Sequence, residues 1–199
     1  MSATTVNVRL EHMDASDQLV VRRFTADEAI RMVEAGILGE DEHVELLDGV
    51  LVEMSPQGVQ HSRALLLLAQ RLRAAFEGRA HIREQQPLAV SSFNLPEPDV
   101  SVIRGGITDY ADHPTGRDAV VVVEVARSSH DADHQKVAIY ARGGVAAYWI
   151  LDLPARKLEV RTTPVEGAYQ VTRVLDEDDV VELPEVQPTL RWTVRELLP

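Results

Sequence analysis

Three side chains stand out along the chain for the chemistry that their positions could support. Glu124 follows four consecutive valines, Val120 to Val123, and precedes Val125 and Ala126, so a carboxylate sits inside an apolar run. A lone carboxylate there is costly unless it is paired, protonated or bound to metal. The structural alternative is a glutamate at a strand's end, paired with one of the many arginines. Asp99 lies in Glu97-Pro98-Asp99-Val100, opening a strand directly after a proline. Taken alone, Pro-Asp is an ordinary turn signal. Two acids on adjacent strands change that reading, because they repel unless a cation lies between them. Hard oxygen ligands of this kind suit Mg²⁺ or Mn²⁺. Lys136 completes the set. At 100° per residue it falls among Ala132, Ile139 and Tyr140, in the stripe of a helix that should face the sheet. It either snorkels or pairs with Asp133 one turn earlier, or carries its ammonium to the carboxylates and a metal-bound phosphate. There a compact, titratable charge would orient a water or stabilise a pentavalent transition state.

These residues need elements to hold them. Residues 1–21 show no clear period and read as a loose or peripheral arm, leaving residues 22–199 as a single domain. Thr25-Ala26-Asp27-Glu28 is a capping box that starts a helix with Ala29, Met32 and Val33 on its apolar face, and Gly36 ends it. Val44 to Met54 reads as two short strands about the Asp48-Gly49 turn. A long helix from about Val59 to Phe76 carries His61, Leu65, Leu68 and Leu72 at helical spacing. Strands follow over Ile82 to Val90 and Pro98 to Ile103. The run Ala119 to Ala126 has the composition of a strand buried on both faces, with Val120, Val122, Glu124 and Ala126 on one side. A helix from about Asp131 to Ala141 and a strand from Ala147 to Leu153 complete a βαβ unit with parallel pairing. Short strands and hairpins occupy Lys157 to Trp192. The pattern is that of one mixed α/β domain.

Composition bounds the partners. The chain has 199 residues, no cysteine and a formal net charge of −12. Disulfides, zinc–thiolate sites, iron–sulfur clusters and thiol nucleophiles are excluded. No apolar run approaches the roughly 20 residues that span a bilayer, and Met1 to Asp14 has no apolar stretch of a signal peptide. A cytoplasmic protein with no membrane partner is the expectation. The acidity argues against indiscriminate grip on phosphates, although a local basic groove or a bound metal reverses the sign. Of the 20 basic residues 18 are arginine, so Lys136 and Lys157 are exceptions.

Taken in order, Glu45-Leu-Leu-Asp-Gly-Val-Leu-Val-Glu-Met-Ser-Pro, His61, Glu-Pro-Asp99-Val, Val-Glu124-Val-Ala-Arg-Ser-Ser, Asp133-x-x-Lys136-x-x-x-Tyr140 and Gly-Val-x-x-Tyr148-Trp149-Ile resemble the Uma-type restriction endonuclease family. That family was formerly a domain of unknown function, within the PD-(D/E)XK nuclease superfamily. The resemblance spans roughly Thr25 to Pro164. It implies an α/β fold with a restriction-endonuclease-like core, in the order helix, three strands, helix, strand. A mixed central sheet would be flanked by helices, with extra hairpins at the N-terminal and C-terminal sides. It also implies that Asp99 and Glu124 are the paired acids and metal ligands, and that Glu45 is a further acid from the N-terminal part of the core. Ala126 stands where Glu-x-Lys would place the catalytic lysine, and a lysine displaced onto the next helix, Lys136, is the candidate.

Accessory residues remain open. His61 heads its helix's apolar stripe and faces the site or serves as a cap or core residue. Gln85 and Gln86 lie on opposite sides of a strand, so one of them would face the cleft. Tyr140 reads as packing, and Asp131, Asp133 and His134 read as a helix start rather than a metal site. The function expected is divalent-metal-dependent endonucleolytic hydrolysis of DNA, with Mg²⁺ or Mn²⁺ as cofactor and a homodimer suited to double-strand cleavage. The alternative is a non-catalytic interaction or regulatory protein on a nuclease-like scaffold, which the negative charge and the missing Glu-x-Lys favour.

Overall fold

The first helix, α1 (Ala26–Glu34), begins as its capping box requires. The Glu28 amide donates to the Thr25 hydroxyl at 3.2 Å and the Thr25 amide to the Glu28 carboxylate at 3.0 Å. The computed structural model describes residues 21–39, 42–54, 56–126, 130–183 and 189–199, with the side chains of 130–134 also outside the description. The arm expected over 1–21 lies outside the described residues except for Val21, as do the side chains of Asp131, Asp133 and His134.

Strands β1 (Val44–Leu47) and β2 (Val50–Glu53) form an antiparallel hairpin. Its two-residue turn holds Asp48 at φ 47 and Gly49 at φ 80, the left-handed geometry that matches strand twist. Helix α2 (Val59–Ala75) buries His61, Leu65, Leu68 and Leu72, the stripe read from the spacing. Next come β3 (Ala80–Glu84), β4 (Val100–Arg104) and β5 (Ala119–Ala126), then α3 (His130–Arg142) and β6 (Ala147–Asp152). The long strands β7 (Lys157–Val165) and β8 (Ala168–Leu175) follow, and β9 (Val180–Leu183) pairs with β10 (Leu190–Thr193) in a separate hairpin.

One six-stranded sheet runs in the order β3-β4-β5-β6-β7-β8. Only β5 and β6 are parallel, joined by α3 as the crossover. The sheet is therefore mixed, and the order helix, three strands, helix, strand is present as α2-β3-β4-β5-α3-β6. Every residue of β5 is buried. Val121, Val123 and Val125 pack into the core beneath α2, while Val122 and Ala126 join Ile139, Tyr140 and Tyr148 beneath α3. Val120 departs from the expected alternation. It belongs to the α2 core because the β4–β5 register shifts between Val102 and Ile103, and the irregularity turns it to the other face.

The strand expected over Ile82 to Val90 stops at Glu84. Gln85 takes φ 49, and Pro87 has no amide to offer a ladder. Gln85 and Gln86 are thus not alternating strand residues. The loop from here to Asp99 is fixed instead by amides, with Gln85 N donating to the Pro98 carbonyl at 3.1 Å and Leu88 N to the Pro96 carbonyl at 2.9 Å.

Candidate active site

Asp99 and Glu124 meet where β4 begins and β5 nears its end. Each carboxylate accepts from the backbone beside the other. The Asp99 amide donates to Glu124 Oε2 at 3.2 Å, and the Val125 amide donates to Asp99 Oδ2 at 2.8 Å. The two carboxylates are therefore held beside one another by amides of the neighbouring strand ends.

Lys136 reaches this pair from α3. Its Nζ donates to Glu124 Oε1 at 3.1 Å and to Glu45 Oε1 at 2.8 Å. It is buried and held between two acids, so it does not snorkel to the surface. Burial by itself pulls the ammonium down, but Glu124 and Glu45 outweigh it and hold Lys136 above the ordinary lysine value. It is a fixed cation rather than a titrating one.

Glu45, on β1, is buried and sits 91 residues from its lysine partner in sequence. The same Oε1 accepts from the Glu97 amide at 3.2 Å, so Glu45 also ties down the Glu-Pro-Asp loop. His61 Nε2 lies 3.0 Å from Asp99 Oδ2 and its Nδ1 is buried with no partner among the described residues. Tyr140 is completely buried and donates to Glu124 Oε1 at 2.9 Å. Burial, then the Glu124 and Glu45 charges, push its hydroxyl well above the usual tyrosine value, so it remains a donor. Its role as more than packing was missed. The available signal was its place one turn after Lys136, which turns a polar tip to the same strand.

A cavity of about 610 Å³ opens over these groups. It is lined by Glu45, Glu97, Asp99, Glu124, Lys136 and His61, and by Gln85 but not the exposed Gln86. Glu97, which the sequence placed beside Asp99 without a role, is held above the usual carboxylate value, first by burial and then by the Glu45 charge. Four carboxyl groups thus face one ammonium, and the imbalance suits a cation.

Among the described residues no cluster of three or more acidic or histidine side chains is arranged as a complete metal cage. Of the four carboxyl groups, Asp99 and Glu124 are the pair bonded at adjoining strand ends, and Asp99 Oδ1 makes no hydrogen bond among the described residues. An all-oxygen pair that leaves other positions to water and phosphate fits Mg²⁺ or Mn²⁺ better than a metal needing nitrogen or sulfur ligands.

The Uma2 family model, described as "Putative restriction endonuclease", matches residues 27–195. The chain belongs to this family. A crystal structure from Anabaena variabilis, titled as that of "a putative nuclease belonging to DUF820", is similar in fold. It superposes with a TM-score of 0.70 at 16% identity, covering 87% of this chain and 97% of that one. No curated protein matches. The mixed six-stranded sheet flanked by helices is thus shared with a structure whose title describes a putative nuclease. No helix among the described residues is long and apolar enough to cross a membrane.

Proposed function

We propose that this protein is a divalent-metal-dependent endonuclease that hydrolyses DNA phosphodiester bonds in the cavity formed by β1, α2, β4, β5 and α3. One observation carries the reading. Asp99 and Glu124 are interlocked through the Asp99 and Val125 amides, with the Lys136 ammonium 3.1 Å from Glu124. Acids held this close with a buried cation are expensive to maintain for structure alone, and family membership supplies the reaction class.

Asp99 and Glu124 would hold the Mg²⁺ or Mn²⁺. A bound divalent ion supplies charge that polarises a phosphate and lowers the pKa of a water. Lys136 contributes a fixed positive charge and hydrogen-bond donors to the negative charge that develops on phosphate oxygens. Because its neighbours keep it protonated, it does not take a proton from water. Glu45 holds Lys136 at that point, His61 holds the Asp99 carboxylate, and Tyr140 fixes the plane of Glu124. The lysine absent at Ala126 is replaced in space, from the next helix, by one that touches the same glutamate. DNA is the substrate under this reading, a homodimer the unit that cuts both strands, and the cytoplasm the site of action.

The test is cleavage of plasmid and linear duplex DNA in Mg²⁺ or Mn²⁺ by the parent protein and by Asp99→Asn. The variant should lose turnover by orders of magnitude with an unchanged circular dichroism spectrum. Equal cutting by both proteins would assign the activity elsewhere.

A further inference from the structure

A second cavity, of about 520 Å³, lies at the other end of the seam where α3 faces the β1–β2 hairpin. Arg23, Asp48, Phe93 and Arg142 are among the residues that line it. At the catalytic end of this seam Lys136 contacts Glu45, and at the second end Arg142 Nη2 contacts Asp48 Oδ1 at 3.0 Å.

The second cavity is held by four chain segments. The Asp48 amide donates to Asn94 Oδ1 at 2.8 Å, and Asn94 Nδ2 returns a bond to Asp48 Oδ1 at 3.2 Å. The Gly49 amide donates to the Phe93 carbonyl at 2.8 Å, and the Phe24 amide donates to the Gly49 carbonyl at 2.8 Å. Gly49 permits this approach, since a Cβ there would lie 2.5 Å from the Arg23 Cβ. The result is two guanidinium groups against one carboxylate, in a chain whose net charge is −12. Arg23 makes no ion pair or side-chain hydrogen bond among the described residues. The Arg142–Asp48 pair is half-exposed, and such a pair is weak enough for Arg142 to be drawn to a stronger anion. Phe93 is 43% exposed beside them, an apolar surface next to the cationic groups.

We propose that this cavity is a second subsite for the DNA backbone, where Arg23 and Arg142 take a phosphate and Phe93 packs against the adjoining sugar or base. The inference rests on the nuclease reading of the first cavity. The spacing supports it. Lys136 and Arg142 are separated along α3 by a helical rise of about 9 Å. DNA rises about 3.4 Å of axis per base pair, so a duplex whose axis follows the seam would span the two cavities in about three base steps. Arginine also suits the role, because its fork meets phosphate oxygens in pairs. The subsite further answers how so acidic a protein holds a polyanion, through a local reversal of charge next to the reaction centre.

The test uses fluorescence anisotropy of a labelled duplex oligonucleotide in Mg²⁺, at several salt concentrations. All proteins carry Asp99→Asn, so that DNA is bound without being cut. Arg23→Ala with Arg142→Ala should weaken binding at least about tenfold and make the slope of log K against log salt shallower by about two. Arg79→Ala with Arg173→Ala removes the same charge from exposed sites elsewhere and should leave both quantities nearly unchanged. Binding that survives the first pair with its slope intact, or that falls equally in the second, overturns the subsite and leaves the nuclease reading standing. Absence of any DNA binding, by the parent protein as well as by Asp99→Asn, in Mg²⁺ or Mn²⁺ would remove the nuclease reading and the subsite together.

Discussion

The two faces of β5 show opposite solutions to burial. Toward α2, Val121, Val123 and Val125 meet Leu65, Leu68 and Leu72 in a core with no polar demand. Toward α3, Val122 and Ala126 flank Glu124, whose oxygens accept from Lys136, Tyr140 and the Asp99 amide. The first face gains from transfer out of water, on the order of 1.5–3 kcal/mol per buried aliphatic side chain. The second gives up part of that gain to keep a charged constellation in place. A single strand therefore separates stability from chemistry, one residue apart, and substitutions on its two sides should fail in different ways.

The largest expected effect is on the apolar side. Leu68→Ala empties a completely buried position in α2 and should cost about 2–5 kcal/mol, with about 2–4 °C of Tm per kcal/mol in a chain of this size. Cleavage per folded molecule, measured well below the transition, should change little. A collapse of turnover without loss of Tm would erase the division between the faces.

Lys136→Arg probes the other side. Its charge is kept, but a bulkier planar fork replaces an ammonium packed between Glu45 and Glu124. Most turnover should be lost while the fold persists. Lys157→Arg is the control, because Lys157 is half-exposed and pairs with the exposed Asp176 at 2.9 Å, and it should be silent. Equal rates in the two variants would end the displaced-lysine account.

Glu97→Gln should have the smallest effect, and it depends on pH. Burial and Glu45 raise the folded-state value of Glu97 above 4.5. A raised folded value adds stability below the unfolded value and loses it as pH rises through the folded one. The variant should therefore melt with the parent in acid and a few degrees above it at neutral pH. A gap that is constant across this range would show that Glu97 titrates as it does in the unfolded chain.

Much of this arrangement was legible in the sequence, for physical reasons. A glutamate within four valines signals an enforced polar partner, and the capping box and the α2 stripe report contacts one turn apart. The order of elements followed from their periods. What was not legible depends on tertiary contacts. Gln85 ends β3 through a left-handed φ that no local composition announces. Val120 changes face through a register shift against β4. Glu45 touches its lysine across 91 residues of sequence, and the Tyr140 hydroxyl, one turn after Lys136, finds its partner in Glu124 on a neighbouring strand.

The shared metal site is the centre of this account, and thermal melting with added Mn²⁺ tests it most directly. A ligand that binds only the folded state raises Tm by mass action, so the parent protein should gain stability as Mn²⁺ is added. Glu124→Gln keeps the side-chain volume and the hydrogen-bonding reach but removes the charge that Asp99 is proposed to share, and its Tm should not respond to Mn²⁺. The same Mn²⁺-dependent rise in both proteins would contradict a metal held between Asp99 and Glu124.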